Sequence, residues 1–153
     1  MKKSIVIILT FIWLANYANG QDCLKFHEEY YSFIDTTDRP VFKFAEKMPE
    51  ILNGEFFMKT ARQSQLFDSL QCCPIRVWIG LVVEADSTLT NIQVCTKMMF
   101  CDDNVIDVET EKFNQRIARI LGGIKSAPAE LNGEKVAVTG IIPIHFECRD
   151  WKY

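Results

Sequence analysis

Residues 75–83 alternate between the two sides of an extended chain, and that limits the fold more than any other stretch. Ile75, Val77, Ile79, Leu81 and Val83 fall on one side, and Arg76, Trp78, Gly80 and Val82 on the other. A strand has a side-chain period of two, so the first set forms a continuous apolar face that needs a second layer to cover it. Ala85-Asp86-Ser87-Thr88 is a polar turn, after which residues 90–94 alternate again with Ile92 and Val94 inward. Two alternating runs joined by a short polar link predict a hairpin.

The covering layer follows in the chain. Phe113, Ile117, Ile120, Leu121 and Ile124 recur with helical spacing, and Asp107 stands as N-cap with Glu109 and Glu111 in the first turn. Negative charge at that end suits the helix dipole, and Gly122-Gly123 supplies a stop. An Asn132-Gly133 turn then leads into a last strand over residues 135–147. Strand, strand, helix, strand predicts an α+β fold: a two-layer, three-stranded antiparallel sheet (β-β-α-β) with helices packed on one face. Setting the last strand beside the first makes every neighbouring pair antiparallel, in spatial order second–first–third. Pro143 sits inside the last strand, and proline cannot donate a ladder hydrogen bond, so this strand belongs at an edge. An edge with unpaired backbone groups is either a liability or a docking site for another extended chain.

Upstream, residues 22–31 read as a polar-aromatic strand or turn, 35–40 as turns and 41–44 as a brief extended piece. Residues 55–70 read as a helix interrupted near 62–65. Residues 1–20 have the pattern of a cleaved leader: Lys2 and Lys3, an apolar stretch over 5–15, then Ala18-Asn19-Gly20. That stretch is well short of the roughly 20 residues a membrane-crossing helix requires. Asp22 stands where a lipoprotein signal before Cys23 would want a small residue. The expectation is one domain over residues 21–153, exported to the periplasm or the outer-membrane region. Both leader charges are lysines, so the remainder is more acidic than the whole chain's −3, which disfavours nucleic-acid partners.

Six cysteines, Cys23, Cys72, Cys73, Cys95, Cys101 and Cys148, suggest disulfides in an exported chain, with buried free thiols as the alternative. Cys95 with Cys101 is the local pairing expected, since both flank one connection. Adjacent Cys72 and Cys73 call for separate distant partners. No Cys-x-x-Cys occurs, and no metal or cofactor is expected.

Candidate chemistry is sparse. His145 and Cys148 would lie on opposite faces of a regular strand and so would not meet as base and nucleophile. His27 beside Glu28 and Glu29 has no second histidine at ligand spacing. Asp102-Asp103-Asn104 lacks the alternation and glycine of a calcium loop, and Met98-Met99-Phe100 reads as a plug between a loop and the sheet. Phosphate-loop and hydrolase motifs are missing.

Several pieces taken in order resemble the TonB C-terminal domain family: Glu46-Lys-Met-Pro-Glu50 with Asn53-Gly-Glu55, Arg76 to Glu84, and Ser87 to Val94. The series continues through the helix over 107–121, Pro128-Ala129, Asn132-Gly-Glu-Lys-Val136 and Ile142-Pro-Ile-His-Phe146. They span residues 39–147. The resemblance implies a non-enzymatic module that grips an extended peptide of an outer-membrane transporter by edge-strand addition. It places the partner-binding residues at Val136, Val138, Thr139, Gly140, Ile141 and Ile142, and a homodimer stays open. Departures are Ser126 where that family usually has tryptophan, no Tyr-Pro pair in residues 67–74, and no proline-rich spacer. The competing expectation is a disulfide-stabilised structural or accessory exported protein with no peptide-binding role.

Overall fold

The structure is a computed structural model that describes Cys23 and residues 25–68, 70, 72–99 and 103–147. The leader, Cys101, Asp102 and Cys148 lie outside the described residues. In chain order the elements are α1 (Phe26–Ile34), a 3-10 turn (Glu50–Leu52), α2 (Gly54–Gln63), β1 (Cys73–Val83), β2 (Leu89–Met99), α3 (Asp103–Gly122), β3 (Ala129–Leu131), β4 (Glu134–Val136) and β5 (Val138–His145).

The α+β fold has the order expected. β1 is central, flanked by β2 and β5, and both pairings are antiparallel. Val77, Ile79, Leu81 and Val83 share a fully buried cluster with Phe113, Ile117 and Leu121 of α3, joined by Ile51, Phe57 and Ala61. The helical stripe thus meets the strand face that required it, and each such side chain contributes about 1.5–3 kcal/mol on burial. Met98 is buried in the same cluster.

Several boundaries differ from expectation. α3 begins at Asp103 rather than at Asp107, and β2 runs to Met99, well past the alternating residues 90–94. The last strand is divided. Asn132 and Gly133 both take positive φ (52° and 79°), the conformation of a two-residue hairpin turn. The turn therefore folds β4 back on β3, pairing Val136 with Ala129, and β5 starts only at Val138.

The second face of the sheet is also covered, which the one-face arrangement did not include. Residues 26–34, expected as strand or turn, are helical, because Cys23, Phe26, Tyr30 and Ile34 recur at i, i+3, i+7 and i+11. All four are buried with Val82 and Cys95, and Trp78 and Ile141 pack around them. Cys95 lies opposite Trp78 in the ladder and so faces α1, where it forms a disulfide with Cys23 (Cα–Cα 5.9 Å). The expected Cys95–Cys101 bond is therefore wrong: strand alternation turns Cys95 toward the N-terminal helix. Cys72 and Cys73 are also disulfide-bonded, and none of the described cysteines is free.

Tyr30 is the centre of this second cluster. Its ring lies flat on Gly80, where a Cβ would come within 2.5 Å of ring carbons. The Thr139 hydroxyl sits 3.0 Å from the Leu81 carbonyl and 3.2 Å from the Tyr30 hydroxyl. A carbonyl only accepts, so the threonine proton goes to Leu81 and the phenol donates to the threonine oxygen. Burial pushes the Tyr30 pKa well above its usual range. Gly80→Ala is expected to destabilise the protein by about 1–3 kcal/mol in urea unfolding, because the ring must lift off the sheet. A loss under about 0.5 kcal/mol would mean that Tyr30 is not seated there.

Since α1 and α2 lie on opposite faces, the chain between them must cross an edge of the sheet. It crosses at β5. Val41 packs with the second-face cluster and Ala45 is buried in the first. Between them Phe42 forms a parallel bridge to Val138. This strap is anchored at one end by the Arg39 guanidinium on both oxygens of Glu84. At the other end Lys47 pairs with Glu130 through two backbone hydrogen bonds of 3.1 and 3.2 Å and through a 3.2 Å ion pair. The Asn132 N–H also donates to Glu46 Oε2 at 3.1 Å.

Candidate protein-binding edge

Two hydrogen bonds to Phe42 show the phase of β5. The Thr139 N–H donates to the Phe42 carbonyl (2.8 Å) and the Phe42 N–H to the Ala137 carbonyl (3.0 Å), so Thr139 points its amide away from β1. Successive backbone groups in a strand point to opposite sides, so residues 137, 139, 141, 143 and 145 all face outward. Pro143 therefore occupies a position whose missing N–H removes no bond to β1, and this is why the sheet tolerates it. Its outward carbonyl lies 3.7 Å from where a Cβ on Gly54 would be, so the start of α2 flanks that end of the edge. The outward run between the strap and Pro143 offers the Thr139 carbonyl and both backbone groups of Ile141.

The residues expected to bind a partner divide between two elements. Val138, Thr139, Gly140, Ile141 and Ile142 are consecutive on β5, whereas Val136 lies on β4. Val138 and Ile142 are fully buried in the first-face core, Gly140 packs against Leu52, and Thr139 is held beneath α1 by its contact with the Tyr30 hydroxyl. Their side chains serve the fold, so recognition at this edge falls to the backbone. Ile141 is half-buried against the second-face cluster.

Exposed apolar side chains occur on the strap and just after it. Phe44 is 74% exposed, Met48 40% and Phe42 37%, and the remaining large exposed hydrophobic among the described residues, Val108, belongs to α3. The readable signal for these is the i, i+2 spacing of Phe42 and Phe44 in an extended piece. Charge around them is mixed: Lys43 reaches Asp35 at 3.4 Å and lies 4.9 Å from the Tyr31 ring centroid. Partial burial raises the Tyr31 pKa.

The other sites considered in sequence do not assemble. His145 is exposed opposite Arg76, and Cys148 lies outside the described residues. His27 makes an edge-on ring contact with Tyr31 at 4.8 Å. No group of three or more His, Cys, Asp or Glu that could hold a metal occurs among the described residues. The Asp86 carboxyl is held below its usual range chiefly by the Thr88 hydroxyl and then by the Thr88 N–H, a turn-closing contact. No described helix is long and apolar enough to cross a membrane.

No family model matches the chain, and no curated protein matches it. Among solved structures the chain is similar to the solution structure of the Helicobacter pylori TonB C-terminal domain (residues 179–285 of that protein). The identity is 16% and the TM-score 0.31, over 61% of this chain and 82% of that one. An overlap this low transfers no residue roles.

Proposed function

We propose that this protein is a non-enzymatic protein-binding module that receives an extended peptide along the outer side of β5. The observation that carries the reading is that, among the described residues, only Phe42 pairs with that side, while the strap that carries Phe42 also exposes Phe44 two residues on. Backbone hydrogen bonds would supply affinity and the strap's apolar side chains would supply contacts. β2 is the sheet's other edge, but it bears Thr90, Asn91, Gln93 and exposed Lys97, the polar dressing that discourages strand addition. The leader pattern and the Cys23–Cys95 disulfide support an exported, periplasmic setting. In that setting an outer-membrane transporter segment is the partner proposed. Phe42's bridge favours a second reading, in which the edge is closed for structural reasons.

Ile141 is the residue to test, since its N–H faces outward and takes no part in the ladder with β1. With an extended peptide from the periplasmic face of an outer-membrane transporter, amide exchange at Ile141 should slow. Ile141→Pro should weaken binding about tenfold, equivalent to about 1.4 kcal/mol, while Ile141→Val binds as the parent does. Equal binding by all three proteins would contradict the reading.

A further inference from the structure

We infer that residues 41–44 are a built-in placeholder strand, occupying the stretch of β5 where an incoming peptide begins to pair, so that binding proceeds by displacing it. This rests on the proposed use of β5 as a docking edge and adds its regulation and the class of ligand it takes. Crossing the sheet edge is required by the placement of α1 and α2, but a crossing does not require backbone pairing or outward aromatic residues. The strap has both. Its two hydrogen bonds, Phe42 N–H to Ala137 and Thr139 N–H to Phe42, satisfy the outward groups at the start of β5. Its Phe42 and Phe44 stay largely outside the core.

The placement controls how much ladder a ligand can form. With Phe42 seated, a peptide meets only the Thr139 carbonyl and the two groups of Ile141 before Pro143 ends the run of donors. Release of Phe42 adds the Ala137 carbonyl and the Thr139 N–H, giving a longer and continuous series. The strap is anchored at its ends by Arg39 on Glu84 and Thr90 and by Lys47 on Glu130, and within the stretch by partly buried Val41 and by the Lys43–Asp35 pair, which is exposed and therefore weak. Displacing Phe42 therefore means freeing Val41 and the exposed Lys43–Asp35 pair, and loss of the Arg39 anchor lowers that cost, while Ala45 and Lys47 hold the far end. The ligand class is set by what sits there already: an extended segment able to run parallel to β5, with large apolar side chains at alternate positions as in Phe42-Lys43-Phe44.

The test uses the full chain and a labelled synthetic peptide with the sequence of residues 39–47, whose pairing partner on β5 is known from the structure. The parent is compared with Arg39→Ala and with Arg39→Ala/Phe42→Pro, which removes the guanidinium anchor and the Phe42 N–H. The single variant serves as a milder release should the double variant lose its near-ultraviolet circular dichroism. In the released protein Thr139 amide exchange should quicken at least tenfold. The peptide should bind at least tenfold more tightly than to the parent and restore Thr139 protection. Unchanged Thr139 exchange, or equal peptide affinity for parent and variants, would overturn the placeholder inference and leave the docking edge standing. Released Thr139 exchange with no re-protection by peptide would instead overturn the docking edge, and the placeholder with it.

Discussion

Replacing Cys23 and Cys95 together by serine is expected to lower stability by about 4 kcal/mol, the chain-entropy value for closing a loop of this length. The two residues are 72 positions apart, so the unfolded chain gains much freedom when the bond is absent. The effect should be local as well as global. α1 has 9 residues, too few to persist alone in water, and it holds the second face through buried Phe26, Tyr30 and Ile34 with Tyr31 and Phe33 packed around them. The double variant should therefore show fast exchange of α1 amides while β1 remains protected. Urea unfolding of the oxidised parent and the double variant measures the first effect. A difference under about 1 kcal/mol would mean that the helix docks without its tether.

Ile117→Ala, on the other face, should cost about 2–5 kcal/mol, since its side chain is fully buried among β1 residues and leaves a cavity. Ile117→Val should cost only about 0.5–1.5 kcal/mol. A loss below about 0.5 kcal/mol for the alanine variant would place α3 elsewhere. The two clusters lie on opposite sides of β1, so combining Ile117→Ala with the cysteine pair should be additive to within about 0.5 kcal/mol. A larger coupling would show that the faces unfold as one packed unit.

The strand order is readable in the sequence because periodicity declares which face of an element is apolar. β1 shows a clean alternation, α3 a single stripe, and Pro143 marks an edge. Less legible are elements whose pattern is carried by few residues. In α1 the buried positions are two aromatics and an isoleucine spread between Glu28, Glu29 and other polar residues, so the stripe is visible only once Cys23, just ahead of the helix, is counted as apolar. Asn132-Gly133 reads plainly as a turn, but two successive positive φ values demand a hairpin that returns at once. That consequence moves Val136 off the edge strand. The candidate site is legible as a strand but not as a surface. Alternation says which side chains of residues 138–142 are buried, whereas occupancy of the outer backbone depends on where the strap crosses, a long-range fact set by two helices on opposite faces. Phe42 and Phe44 read only as part of a short extended piece, since nothing local distinguishes a solvent-facing phenylalanine from a core one.

Whether β5, rather than β2, takes an extended partner can be read from nuclear Overhauser effects between the backbone of a bound transporter-derived peptide and the isotope-labelled protein. Cross-strand effects are expected at Thr139 and Ile141, with Phe42 no longer beside Val138 in the complex. Effects at Val94 and Thr96 of β2, or retention of Phe42 beside Val138 with none at Ile141, would contradict docking at β5.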